Sequence, residues 1–455
     1  MNTHHPLSAL LLLGSLTYLT GCASLSPTPQ ASLNNTTQIP EQWESSQRYV
    51  NTTMSTQLLS LFNNQALADL VQEALTNNHD LHKTALRLKQ AELLAAQSDQ
   101  YLQPSLNTDF QASRQKTSQI QNSHKLSLNL SWEFDVWGRL ADSASAANAK
   151  QQATQLDYAY AQNSLAARVI EAWLDVAYRA RVIGVEQRWL QSLSNTENIV
   201  LEQVLDGFKE QADLDTARAA TSRVRASLAA KEQDQLIAIR GLNTLRGKSD
   251  TQLNRMIFTI PEVEAPPLRL PGEMIGSRPD LLAAYQQVLA ADKSAAVAYK
   301  DLLPKFTLSA SVYRSGSTPN QLIDNPSLWN FVGGISAPLL DQSSLQTQAK
   351  IAQLQAEESF VDYQKKLLVA INEVGNALDK EFYLKQQEQH YRDAFTFSKA
   401  SMKNYQNLYQ EGASDVLALL IAQQSIYQSK IQLLNTQRTR LSNRITLGLA
   451  LGMGV

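Results

Sequence analysis

The sequence predicts a mainly helical fold with a membrane-strand portion, built as two copies of one unit: helix, strand pair, long helical hairpin. Three observations carry that prediction. The 455 residues include only 17 Gly and 14 Pro with 18% charged residues, each low against usual shares of roughly 7%, 5% and 25%, which favours long uninterrupted helices. A period-two alternation over residues 126–136 marks a strand with one apolar and one polar face. The chain also resembles itself at an offset near 200 residues.

The N-terminal segment comes first. Pro6 to Leu19 is an apolar run containing four consecutive leucines, Leu10 to Leu13. It has signal-peptide length and is too short to span a bilayer as a helix. Leu19-Thr20-Gly21-Cys22 follows it and resembles a bacterial lipobox, in which small residues before a Cys permit cleavage and the thiol carries lipid. Cys22 is the single Cys of the sequence, so neither an internal disulfide nor a Cys-rich metal site is available. Residues 1–21 are therefore expected to be a lipoprotein signal peptide, although its n-region has His4 and His5 and no Lys or Arg. Ala23 stands where an Asp marks inner-membrane retention in many such lipoproteins, which points to the outer membrane. No other stretch of 18 apolar residues occurs, so any crossing must be made by strands.

His79-Asp80-Leu81 opens a helical segment ending Leu102-Gln103-Pro104, and Pro279-Asp280-Leu281 opens one ending Leu302-Leu303-Pro304. Ala91, Ala95 and Ala96 match Ala291, Ala295 and Ala296 without a gap; further on, Gly207 aligns with Gly412 and Ala217 with Ala422. The expected organisation is an extended segment 22–65, a first repeat 66–247, a linker 248–277 and a second repeat 278–455. In the first repeat one helix over Ala66 to Gln103 is expected to stop at Pro104, because proline lacks the donor and clashes with the preceding turn.

Strands are expected at about 104–115 and 125–136, then at about 304–314 and 328–338. In the second, Leu126, Leu128, Leu130, Trp132, Phe134 and Val136 alternate with polar residues. The Ser, Gln, Asn and Lys of residues 113–125 suggest a polar loop, and Ser315 to Asn320 carries turn chemistry. Arg139 to Asp206 lacks Pro and holds only Gly184, about 68 residues or roughly 100 Å of helix; Gln342 to Glu411 is similar, with only Gly375. Gly207 and Gly412 break these helices, and about 40 helical residues follow each.

Four strands cannot close a barrel, and an open edge in lipid leaves unpaired backbone groups costing several kcal/mol each. Closed membrane barrels need about eight or more strands. Spanning therefore requires oligomerisation, and three copies supply twelve strands.

Other functions find few residues. A net charge of −2 without a basic block gives no footprint for nucleic acid. His79 and His82 have i, i+3 spacing but no third ligand nearby. Glu133 and Asp135 share a strand face as a glycosidase pair might, or as the polar side of a barrel strand does. Phosphate loops, nucleophile elbows and HExxH are absent, so no catalytic residue and no cofactor is expected.

Trp132-Glu133-Phe134-Asp135-Val136-Trp137-Gly138-Arg139, Arg278-Pro279-Asp280-Leu281, and Tyr409-Gln410-Glu411-Gly412 followed by Ala422-Gln423-Gln424-Ser425 occur in order and at repeat spacing. With that order the mature chain resembles the TolC-like outer-membrane efflux proteins, in their lipoprotein branch of NodT and OprM type. The resemblance implies a trimer in the outer membrane, with a 12-stranded β-barrel, a periplasmic α-helical barrel and an equatorial domain from the N-terminal, 248–277 and C-terminal segments. It also implies a passive channel for drugs or metal ions, served by a periplasmic adaptor at the Gly207 and Gly412 tips and a proton-driven inner-membrane pump. The alternatives are the duct of a type I protein secretion system and a non-conducting adaptor lipoprotein.

The resemblance places the periplasmic aperture just after the tip glycines. Asp213 and Asp215 fall there in the first repeat, with Ala418 and Ile421 at the corresponding positions of the second and Tyr409 nearby. Three copies of the two Asp would form an acidic ring favouring cations; equally, both are charges at a helix N-terminus, where the dipole favours them. Ala418 and Ile421 suggest a partly apolar constriction. Tyr409 is open to two readings, packing or a hydrogen bond across the tip.

Overall fold

The structure, a computed structural model, describes residues 39–43, 58–62, 64–116, 118–249 and 271–455. Cys22 with the signal segment, and most of the 248–277 linker, lie outside the described residues. The described elements are α1 (Gln65–Asn77), α2 (His79–Gln100), β1 (Ser105–Lys116), β2 (Ile120–Phe134), α3 (Arg139–Leu205) and α4 (Gln211–Leu245). They continue with α5 (Pro271–Ser277), α6 (Pro279–Lys300), β3 (Lys305–Gly316), α7 (Gln321–Asp324), β4 (Leu328–Ser336), α8 (Gln342–Gln410) and α9 (Val416–Ala450). Contacts divide them into two units. The first holds Arg87–Gln155 and Ala283–Lys366; the second holds Gln38–Leu86, Leu156–Leu282 and Leu367–Val455.

The two repeats share hydrogen bonds as well as letters. After α2, Leu102 N–H donates to Asp99 O and Gln103 N–H to Gln100 O before Pro104; after α6, Leu302 N–H donates to Tyr299 O and Leu303 N–H to Lys300 O before Pro304. Each proline thus follows one tightened turn and starts a strand.

One expectation needs correction here. The helix expected over Ala66 to Gln103 is two helices broken at Asn78, whose ψ of 123° is extended. Its side chain explains the break: Oδ1 accepts from Leu81 N–H at 3.0 Å and Nδ2 donates to Leu245 O at 2.9 Å. Asn78 thereby caps α2 while anchoring α1 to the end of α4. In the second repeat Arg278 occupies the equivalent break, and Pro279 supplies the favoured first residue of α6.

In the first unit the strands form one antiparallel sheet of order β1-β2-β3-β4. Its register aligns apolar rows: Leu106, Leu130, Ala310 and Phe331 lie side by side, as do Thr108, Leu128, Val312 and Trp329, and Phe134, Phe306 and Ile335. Residues directly opposite share a face, so these rows make one apolar face. It is exposed, with Leu128 at 47% and Trp329 at 77%, whereas Ser127 on the other face is buried at 7%. An exposed apolar face backed by a polar one inverts a water-soluble sheet and suits strands between lipid and an aqueous lumen.

A second correction concerns the polar loop expected over 113–125. Pairing continues through Ser113↔Ser123 to Lys116↔Ile120. Apart from Ile120 both faces are polar there, so the period-two signal disappears while the backbone ladder persists. The other end of β2 stops at Phe134, before Val136.

The passage from β2 into α3 gives each residue of the Trp132–Arg139 segment a role. Gly138 takes φ 72°, the left-handed conformation glycine adopts without steric cost. Asp135 accepts from Leu140 N–H at 3.0 Å and Ala141 N–H at 2.8 Å, capping the helix. Trp137 Nε1–H donates to Pro304 O at 2.8 Å, and Arg139 reaches Glu133 at 2.8 Å. Lys300 donates to Gly138 O and to Asp142, which Lys293 also reaches. Burial alone would raise the Asp142 pKa, but the two ammonium groups hold it below the usual value.

In the second unit the largest apolar cluster surrounds Trp173, Ile170, Leu174, Leu242 and Ile445, with Phe62 edge-on to the Trp173 ring. Arg440 bridges Glu381 and Glu388 at 2.8 and 2.9 Å, and Arg444 joins Glu381 at 2.9 Å, tying α8 to α9.

Candidate functional site

The two hairpin tips close by the same backbone motif. At the first, Gly207 (φ 78°) ends α3, Phe208 N–H donates to Gln203 O at 2.8 Å and Gly207 N–H to Val204 O at 3.1 Å. At the second, Gly412 (φ 72°) ends α8, Ala413 N–H donates to Leu408 O at 2.8 Å and Gly412 N–H to Tyr409 O at 3.1 Å. Both are Schellman caps, which satisfy the last carbonyls and need a left-handed residue at the glycine. The bonds coincide at an offset of 205, so the tips are one structure made twice.

The return helices begin differently. Asp415 caps α9 by accepting from Ala418 N–H at 2.7 Å, whereas Glu210 before α4 makes no such side-chain bond. Asp213 lies half-buried in the first turn of α4; Asp215 is exposed and accepts from Gln211 Nε2 at 3.0 Å. Ala418 is half-buried at the α9 position matching Asp213. Counted from the helix starts, Leu420 matches Asp215, and Ile421 falls one residue further on. Ile421 is 57% exposed and with Leu417 lines a cleft of about 530 Å³ shared with Trp189 and Arg223.

Tyr409 does both things the sequence left open. Its ring is 5% exposed in a cluster with Leu193, Val200, Leu214 and Leu419, and its hydroxyl donates to Gln203 Oε1 at 2.7 Å. Burial, then the Asp213 carboxylate, raises the Tyr409 pKa above its ordinary value, so the phenol keeps its proton. Gln203 went unnoticed in the sequence because its partner is 206 residues away. Gln423 extends the connection: buried, it donates to Thr196 at 2.8 Å and Ser192 at 3.1 Å, while Tyr427 donates to Arg188 O at 3.2 Å. The two hairpins are thus stitched by α3-to-α8 and α3-to-α9 hydrogen bonds that run from Gln203 at the tip up to Arg188.

The remaining candidates resolve into scaffold. Glu133 and Asp135 are taken by Arg139 and the α3 cap, and His79 and His82 are exposed in the first turn of α2. Among the described residues there is no group of three or more His, Cys, Asp or Glu able to hold a metal ion, and no helix is long and apolar enough to cross a membrane.

Residues 70–248 and 270–453 match the family model described as outer membrane efflux protein. The chain is 26% identical to the toxin and drug export protein A of Aggregatibacter actinomycetemcomitans, over 92% of each chain. It is 25% identical to the probable outer membrane lipoprotein SilC of Salmonella typhimurium, over 98% of each. Among solved structures it superposes on the outer-membrane channel OprN with a TM-score of 0.86 at 21% identity, covering 92% of this chain and 98% of that one.

Proposed function

The chain belongs to the outer membrane efflux protein family, and from that premise we propose how its parts make a duct. It is an outer-membrane channel protein of the efflux type. Three copies join their sheets into a 12-stranded barrel, and their long helices form a periplasmic tube. The observation that carries this reading is the sheet: its apolar face is exposed in register, and both edge strands, β1 and β4, have one unpaired side within the chain. β1 and β4 run in opposite directions, so β4 of one copy can pair with β1 of the next without disturbing the alternation. Closure then removes every edge from lipid.

In that assembly the tips at Gly207 and Gly412 form the periplasmic end, where an adaptor docks, and a proton-driven inner-membrane pump supplies the energy. The cargo class is small molecules, drugs or metal ions. The name of the Aggregatibacter relative joins toxin with drug, and that keeps protein export as the second reading. Purified full-length protein should be trimeric in detergent and conduct in planar bilayers; a monomer without conductance overturns the proposal.

Two further outcomes are expected. Cys22→Ser should abolish labelling by radioactive palmitate, and persistent label would refute the lipid anchor. Asp213→Asn should lower the cation preference of the open channel several-fold, since the ring would lose one carboxylate per copy. An unchanged reversal potential would leave Asp213 as a helix N-terminal charge only.

A further inference from the structure

The apolar face of the sheet carries charge of one sign, at one end. The two acidic residues of the strands, Asp109 and Glu133, both lie on the opposite face, in line with Ser127 and Thr307 respectively. The charged residues on the apolar face are Arg114, Lys116 and Arg314, all towards the β1–β2 and β3–β4 hairpins. Arg314 sits beside Leu126, whose other neighbour is Phe110, and Arg114, four residues beyond Phe110 along β1, pairs with Asn122. All three are exposed, and none forms an ion pair among the described residues; Arg314 donates to the Ile323 carbonyl at 3.0 Å. At the helix end of the sheet the cations are matched instead, Arg139 with Glu133 and Lys305 with Asp301.

The spacing fits a bilayer. The apolar rows run from Phe134 to Leu126, about 26 Å along the strand at roughly 3.3 Å per residue, or about 20 Å of height at a barrel tilt near 40°, most of the apolar band of roughly 25 Å. The cations begin at the last of these rows and continue for about 20 Å. They therefore stand where headgroups replace acyl chains, on the side away from the helices. A rim that only had to face water would mix both signs along its strands; these strand ends carry three cations outside any ion pair and no carboxylate, Asp324 of α7 being the one acid of the β3–β4 connection, and such a cluster attracts phosphate.

We propose that Arg114, Lys116 and Arg314 bind the phosphorylated headgroups of glycolipid in the outer leaflet, three such sites encircling the assembled barrel. This rests on the barrel reading above, with the hairpins towards the cell exterior. The charge-assisted bonds would fix the depth and rotation of the barrel, which an apolar band alone leaves loose.

The test uses full-length protein purified in detergent and incubated with lipid A or with dephosphorylated lipid A. Lipid retained per chain is counted by mass spectrometry, and oligomeric state and conductance are measured on the same preparation. Wild type should retain about tenfold more of the phosphorylated form, and inorganic phosphate at millimolar concentration should not displace it. The Arg114→Gln, Lys116→Gln, Arg314→Gln variant should fall to the dephosphorylated level, and lysine at 114 and 314 should restore most of the binding. Equal retention of both lipids by wild type overturns the proposal without recourse to any variant. Displacement by free phosphate overturns it too, by making the site a general anion site. A conducting trimer without lipid preference sinks the lipid site alone, whereas absent conductance sinks the channel reading.

Discussion

Replacing Arg278 with methionine is expected to destabilise the helical unit by about 3–5 kcal/mol, read as a lowered thermal midpoint in detergent. Arg278 occupies the break between α5 and α6, where its side chain is 6% exposed. Its guanidinium bonds both oxygens of Asp280 at 3.0 and 2.8 Å, reaches Glu373 at 2.7 Å and donates to Ala450 O at 3.3 Å. One residue thus connects the start of α6 with α8 and the end of α9. Burial alone would lower the arginine pKa, but Asp280 and Glu373 raise it above its ordinary value, so the charge persists at any working pH.

The cost of Arg278→Met comes mainly from what remains. The side chain of Asp280 is 8% exposed and would stay buried with its arginine gone. Glu373 is 45% exposed, so water screens it and its share is small. Adding Asp280→Asn to Arg278→Met should therefore recover part of the loss, because a buried carboxylate deprived of its arginine is replaced by a neutral amide. Arg278→Lys should be intermediate, since an ammonium cannot match the two-pronged geometry. If the single methionine variant melts with wild type, the network is not holding these helices.

Local rules were legible: Pro104 and Pro304 end helices, Gly207 and Gly412 end hairpin arms, and the alternation in β2 marks its exposed apolar rows. Asn78 could have been read, because an Asn two residues before Asp80 is a capping signal, but apolar spacing continues across it and hides the break. The outer halves of β1 and β2 could not be read, since alternation marks a strand only while its faces see different solvents. The bond from Tyr409 to Gln203 and those from Gln423 to Thr196 and Ser192 depend on which helices become neighbours. At the starts of α4 and α9, Asp213 and Ala418 occupy matching positions, but the residue matching Asp215 is Leu420, one before Ile421, and no feature of the letters distinguishes those two.

Leu128→Arg should prevent stable insertion of the barrel, while Asn129→Arg, one residue away, should be tolerated. Leu128 lies mid-strand between Thr108 and Val312, on the face where Trp329 is 77% exposed. An arginine on a lipid face costs about 2–4 kcal/mol at the bilayer midplane and less towards the interfaces, so at Leu128, one row off the centre of the apolar band, about 2 kcal/mol is expected. In the proposed trimer the substitution recurs in each copy, so the penalty to the assembly is about 6 kcal/mol, comparable to the whole stability of an ordinary domain. Asn129 is on the opposite face, where its amide donates to Asp109 at 2.7 Å and Ser127 at 3.2 Å. A guanidinium there would sit in water beside a carboxylate, and its effect should appear as reduced cation conductance. Heat-modifiable mobility and trimer yield from outer membranes check both variants. Equal tolerance of the two would mean that the exposed apolar rows do not face lipid, and the barrel would have to be abandoned along with the duct.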